Sequence, residues 1–141
     1  MAKSGPIIII EDDADDEEIF RAVLGELNVT NELVCFRTTK EAFQFLSATT
    51  EAPFIILSDI NLPGQTGLNF KRQLDSDPVL RRKSIPFIFY STSANQEEVT
   101  EAYTQMTIQG FFQKAGKIED IKKHLKLIFD YWKECRHPNS V

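Results

Sequence analysis

Little in this chain suits it for zinc, disulfides, membranes or nucleic acid. Its two cysteines, Cys35 and Cys135, lie far apart, with no CxxC pair and no histidine at ligand spacing. That pattern excludes a zinc ribbon and provides no disulfide framework. The longest apolar runs, Pro6 to Ile10 and Pro53 to Leu57, are strand-sized, whereas a membrane-spanning helix needs about 20 residues. The N-terminal run ends in a block of acids and lacks the features of a secretory signal, so a cytoplasmic protein is expected. Lysines and arginines are scattered and the net charge is -5. Phosphate binding by nucleic-acid proteins is driven by clustered basic residues, so nucleic acid is not an expected partner. There is no internal repeat, low-complexity tract or linker.

The chain does have the means to fold. Its 141 residues are 42% apolar and 26% charged, the balance of an ordinary soluble domain, and the length suits one such domain. Residues 5–136 are expected to form it, with 137–141 as a short tail and no effector domain. Five short apolar runs, Ile7 to Ile10, Leu33 to Phe36, Phe54 to Leu57, Phe87 to Tyr90 and Phe111 to Phe112, alternate with stretches of helical period. The first, third and fourth are nearly continuous in apolar residues, as in strands covered on both faces; Val34 and Phe36 alternate with polar neighbours, as on an edge.

Helical spacing links Ile19, Val23 and Leu27, then Phe43 and Leu46, then Val99, Ala102, Tyr103 and Met106. It is most regular in Ile118, Ile121, Leu125, Ile128 and Trp132. Thr38 with Glu41 and Ser93 with Gln96 have capping-box spacing. A further helix is expected from Gly67 to Ser76, because Asp77 precedes Pro78 and is biased away from helical geometry. Repeated β-α units with right-handed crossovers give an α/β sandwich on an open, parallel five-stranded sheet.

In such sheets, ligands bind beyond the carboxyl ends of the strands. Glu11, Asp12 and Asp13 follow the first strand, Asp59 to Asn61 the third, Ser91 to Ser93 the fourth, and Lys114 the fifth. Carboxylates of Glu11, Asp12 and Asp59 on one rim repel one another unless a cation or proton compensates. Mg²⁺ suits them, since it takes one or two carboxylates, keeps several waters and completes its shell with phosphate. Lys114, the Ser91 hydroxyl and backbone amides after Asp59 and Ser91 supply donors for a phosphoryl group. Phosphoryl transfer is largely positioning and charge neutralisation, so a carboxylate nucleophile, a metal and one lysine would suffice.

These residues carry a resemblance over almost the whole chain. Glu11-Asp12, the run Ser58-Asp59-Ile60-Asn61-Leu62-Pro63-Gly64, Ile85-Pro86 leading to Ser91, and Gly110-Phe111-Phe112-Gln113 before Lys114 resemble the receiver domains of bacterial two-component response regulators. The likeness extends to stand-alone, CheY-like members, including small regulators that partner phytochrome-type kinases. It implies strand order 2-1-3-4-5. It also implies phosphorylation of Asp59 by a histidine kinase or phosphotransfer protein, with Mg²⁺ held by Glu11 through water, Asp12, Asp59 and the main-chain carbonyl of Asn61. Ser91 and Phe111 match the switch positions, and Lys114 the residue that binds the phosphoryl group. Output would pass through protein contacts on the face of the fourth crossover helix, fifth strand and last helix, where Tyr103, Phe111 and Lys122 are expected. Homodimerisation through that face is left open, and the kinase would dock near the first helix. Two departures stand out. Phe111 replaces the commoner tyrosine, and Ala115 follows Lys114 where the family usually has a cis proline; a cis bond costs a non-prolyl residue ~2.5–4 kcal/mol.

Plainer readings compete at several positions. Asp13, Asp15, Asp16, Glu17 and Glu18 read best as a solvated helix start favoured by the macrodipole. Phe111 reads equally as a core residue. His124 and His137 are expected to lack partners. A phosphatase of the haloacid-dehalogenase type would need a second carboxylate two residues after the nucleophile, where this chain has Asn61. A degenerate receiver serving only as a protein-binding module is the other alternative.

Overall fold

In the computed structural model, residues 2–92, 94–114 and 116–139 are described. A 3₁₀ turn at Ala2–Ser4 leads into β1(Ile7–Ile10), α1(Ala14–Glu26), β2(Leu33–Phe36), α2(Thr39–Ala48), β3(Ile55–Ser58), α3(Gly67–Ser76), α4(Pro78–Lys83), β4(Phe87–Ser91), α5(Gln96–Gln105), β5(Gly110–Gln113) and α6(Ile118–Glu134). The five strands form one parallel sheet in the order β2-β1-β3-β4-β5, as expected. β2 is an edge strand, and each of its residues is only partly buried.

Side-chain alternation along the strands divides the core in two. Ile7, Ile9, Ile55, Leu57, Ile88 and Tyr90 face α1 and α6, packing on Phe20, Val23, Leu24, Leu125 and Phe129. Ile8, Ile10, Ile56, Phe87 and Phe89 face the opposite side, against Ala42 and Leu46 of α2, Phe70 of α3 and Ala102 of α5. A buried side chain of this size contributes ~1.5–3 kcal/mol, so the continuous apolar strands at the centre anchor both layers. No helix among the described residues is long and apolar enough to cross a membrane.

Four features differ from the sequence reading. The chain continues beyond Pro78 into the short helix α4, because Asp77 both ends α3 and caps α4, accepting from Val79 N–H and Leu80 N–H at 2.9 and 3.1 Å. Pro78 then occupies the first helical turn, where its missing N–H costs nothing. Asn95 caps α5 in a full capping box with Glu98; the expected cap Ser93 lies outside the described residues. Ile118, placed on the apolar stripe of the last helix, is 55% exposed.

The fourth difference concerns the histidines, both of which have partners. His124 Nδ1 lies 3.0 Å from the Tyr90 hydroxyl. The expected tail folds back at His137, whose ring is 2% exposed and whose Nε2 donates to the Phe54 carbonyl at 2.8 Å.

Candidate functional site

Three strand ends meet at one rim. Parallel pairing of β1 with β3 sets Ile10 opposite Ser58, and Asp59 N–H donates to the Ile10 carbonyl at 3.1 Å. The register thereby places Glu11 and Asp12 beside Asp59, and one oxygen from each of these carboxylates lies within 4.8 Å of the others. On the other flank, Lys114 N–H donates to the Ser91 carbonyl at 2.8 Å, extending the β4–β5 ladder so that both side chains reach the same rim.

Asp59 is almost buried, at 8% exposure. Its Oδ1 accepts from Ile60 N–H at 2.7 Å, from Ser91 Oγ at 2.8 Å and, weakly, from Asn61 N–H at 3.4 Å. These donors fix the carboxylate's orientation. The loop after it is held by Gly67 N–H, which donates to the Ile60 carbonyl at 2.7 Å.

Glu11 is buried and Asp12 exposed. Glu11 Oε1 accepts from Asp13 N–H at 3.2 Å, and Oε2 from Lys114 Nζ at 2.7 Å. Burial pushes the Glu11 carboxyl up to about 7, against the downward pull of the Lys114 hydrogen bond and charge, while Asp59 adds a push upward. For Lys114, burial favours loss of the proton, but the hydrogen bonds and charges of Glu11 and Asp16 outweigh it and hold the ammonium above its ordinary value. Lys114 also sits over the Phe20 ring, 5.5 Å from its centroid.

Oxygen donors of this hardness fit a small divalent cation. Mg²⁺ binds oxygen at 2.0–2.1 Å, so ligands on opposite sides of it are about 4.2 Å apart. A span of up to 4.8 Å accommodates two direct carboxylates and a third acting through water.

The remaining expected residues are placed as follows. Phe111 is partly buried, its ring 5.5 Å from that of Phe89, beside the strand that carries Ser91. Tyr103 projects from α5. Lys122 is not on that face: it forms a 3.1 Å ion pair with Glu26, on the side of α6 that packs against α1. The Lys114–Ala115 bond lies outside the described residues.

Sequence reasoning missed Asp16 and Gly67. Asp16 Oδ2 lies 3.0 Å from Lys114 Nζ, although the sequence reading left it with the solvated acids. A signal was present, since Asp16 is four residues before Phe20 and therefore on the same helix face. Gly67 starts α3, and nothing local in the sequence shows how closely it approaches Asp59.

A doubly wound sheet with this acidic rim, a buried lysine and a strand-end aspartate is the architecture of a receiver-type signalling domain. The chain belongs to the response regulator receiver domain family, whose pattern matches residues 7–126. It is 28% identical over 133 residues to the response regulator Rcp1 of Synechocystis sp., covering 91% of this chain and 88% of that protein. Among solved structures it is similar to the phosphorylated cyanobacterial phytochrome response regulator RcpA, with TM-score 0.84 and 27% identity over 95% of this chain and 98% of that one. It is also similar to the Mn²⁺-bound form of Rcp1, with TM-score 0.80 and 26% identity over 93% and 96% of the two chains.

Proposed function

We propose that this receiver domain is a Mg²⁺-dependent switch of a two-component system, phosphorylated on Asp59 by a histidine kinase or phosphotransfer protein. One observation carries the reading: Asp59 is held by donors on Oδ1 alone, within a carboxylate cluster whose only neighbouring ammonium is shared by Glu11 among the described residues. With Oδ1 so engaged, Oδ2 is the oxygen for attack. It forms the O–P bond as the P–N bond to the donor histidine breaks, and the imidazole leaves with that electron pair.

Mg²⁺, when bound, neutralises phosphoryl and carboxylate charge. Glu11 and Asp12 would hold it with Asp59 and the main-chain carbonyl of Asn61. Ser91 and Lys114 would turn to the phosphoryl oxygens, and the inward movement of Ser91 would give Phe111 room to follow. The output would be protein contacts around α5, β5 and α6, with the kinase docking near α1 in the cytoplasm. Asn61 two residues after Asp59 supplies no proton-transferring carboxylate there, which supports a switch over a phosphatase.

Acetyl phosphate with Mg²⁺, followed by intact-mass measurement, tests the reading. One added phosphoryl group in the parent and none in Asp59→Asn is the expected result. No addition in the parent would instead favour a phosphate-independent binding module.

A further inference from the structure

Lys114 has two carboxylate partners with different commitments. Glu11 Oε2, at 2.7 Å, belongs to the cluster suited to a cation. Asp16 Oδ2, at 3.0 Å, comes from the first turn of α1 and is outside that cluster. The lysine side chain is 4% exposed, and an ammonium has three N–H donors. Two of these are spoken for by the carboxylates, which leaves a third for an incoming anion.

A cation at the rim draws on the Glu11 charge, weakening its hold on Lys114 at the stage when a phosphoryl group would need the lysine in place. The Asp16 carboxylate is not shared in this way. We propose that Asp16 is a positioning residue for Lys114, anchoring its ammonium at the rim while Glu11 serves the cation. The inference rests on the phosphoryl-acceptor reading for its purpose, but the anchoring can be measured apart from it. Asp16 is partly exposed and lies on the first helical turn, where substitution leaves the core intact.

The experiment is acylation of lysines with an N-hydroxysuccinimidyl acetate, read residue by residue by peptide mass spectrometry, with and without Mg²⁺. Beryllofluoride binding at saturating Mg²⁺ is measured in parallel. Asp16→Ala is expected to raise the Lys114 labelling rate by about tenfold, the scale of one lost charge-assisted hydrogen bond, and by more with Mg²⁺ than without. Asp16→Glu is expected to restore protection. Asp15→Asn, in the same turn but with a carboxylate that does not pair with Lys114, whose partners are Glu11 and Asp16, is expected to leave the Lys114 rate unchanged, which a general helix-start effect would not. Beryllofluoride affinity is expected to fall several-fold in Asp16→Ala while Mg²⁺ affinity stays near the parent's. If Asp16→Ala unfolds, the isosteric Asp16→Asn takes its place. An unchanged Lys114 rate, or an unchanged beryllofluoride affinity where the parent binds it, overturns the proposal. If the parent binds no beryllofluoride, the phosphoryl reading falls, and the Lys114 rate alone decides the anchoring.

Discussion

Gly67 approaches the backbone of Asp59 so closely that a β-carbon on it would stand 2.2 Å from the Asp59 carbonyl oxygen and 3.1 Å from Ile60 Cα. The contact seats the N-terminus of α3 directly beneath the loop that carries Asp59. Both clashing partners are backbone, so no side chain can rotate out of the way. Gly67→Ala is therefore expected to cost about 3 kcal/mol, the upper part of the usual overpacking range. Thermal unfolding should fall by roughly 10 °C for a chain of this size. Because α3 and the Asp59 loop must separate to admit the methyl group, phosphorylation by acetyl phosphate should fall as well.

Ser91 is fully buried and gives its hydroxyl to Asp59 Oδ1. Ser91→Ala removes that donor but leaves the Ile60 amide at 2.7 Å, so the carboxylate stays partly satisfied. The expected loss is ~1–2 kcal/mol in urea unfolding of the metal-free protein. A double-mutant cycle with Asp59→Ala should return most of it as coupling energy. Ser91→Thr, which keeps the hydroxyl, should show little of that loss of hydrogen bonding. Zero coupling between Ser91 and Asp59 would refute the assignment.

The sheet and most of the rim were legible because their signals are local. A strand buried on both faces reads as a continuous apolar run, and the residue following it lands at the rim whatever the helices do. Ile7 to Ile10 followed by Glu11, and Phe54 to Leu57 followed by Ser58 and Asp59, show both effects. The missed features depend on contacts across long stretches of sequence. Asp16 meets Lys114 at a separation of 98 residues, and His137 meets Phe54 at 83; neither partner leaves a mark near the other. Lys122 and Glu26 likewise pair only because α1 and α6 share a layer. The helix α4 was missed because Pro78 stops one helix and starts the next, two roles with the same sequence sign.

Asp75 ties the end of α3 to the turn before β5. It accepts from Lys71 Nζ at 2.8 Å, from Thr107 N–H at 3.0 Å and from Thr107 Oγ1 at 2.7 Å. Burial alone would raise its pKa, but these donors outweigh burial and hold the carboxyl below its ordinary value. Burial lowers the Lys71 ammonium despite Asp75. For a carboxyl depressed in the folded state, the stability is present above the unfolded value of about 3.9 and lost as pH falls through the lower folded value. The parent should thus lose part of its stability on acidification below about pH 4, and Asp75→Asn should lack that part of the decline. At neutral pH Asp75→Asn should be less stable by ~3 kcal/mol, since it leaves a buried ammonium without its countercharge. Adding Lys71→Met should recover much of the deficit. Matching acid limbs for parent and Asp75→Asn in urea unfolding between pH 2 and 7 would contradict this account.

His137 closes the opposite end of the sheet from the acidic rim. Its Nε2–H donates to the Phe54 carbonyl at 2.8 Å and its Nδ1 accepts from Asn139 N–H at 3.1 Å, so these bonds require the neutral ring with the proton on Nε2. The ring packs against Phe54 and Trp132, with centroids 5.9 and 6.2 Å away. Asn139 Nδ2 continues the strap to the Lys83 carbonyl at the end of α4. Two separable effects follow. His137→Phe keeps an aromatic ring but withdraws the donor from Phe54, an expected cost of ~1–3 kcal/mol. His137→Ala also opens a cavity beside Phe54, and about 3 kcal/mol or more is expected. Phosphorylation of Asp59 in His137→Phe, measured well below its melting temperature, should remain close to the parent's, because the strap and the rim lie at opposite ends of the strands. A variant that melts like the parent would show that the segment after α6 merely rests on the sheet.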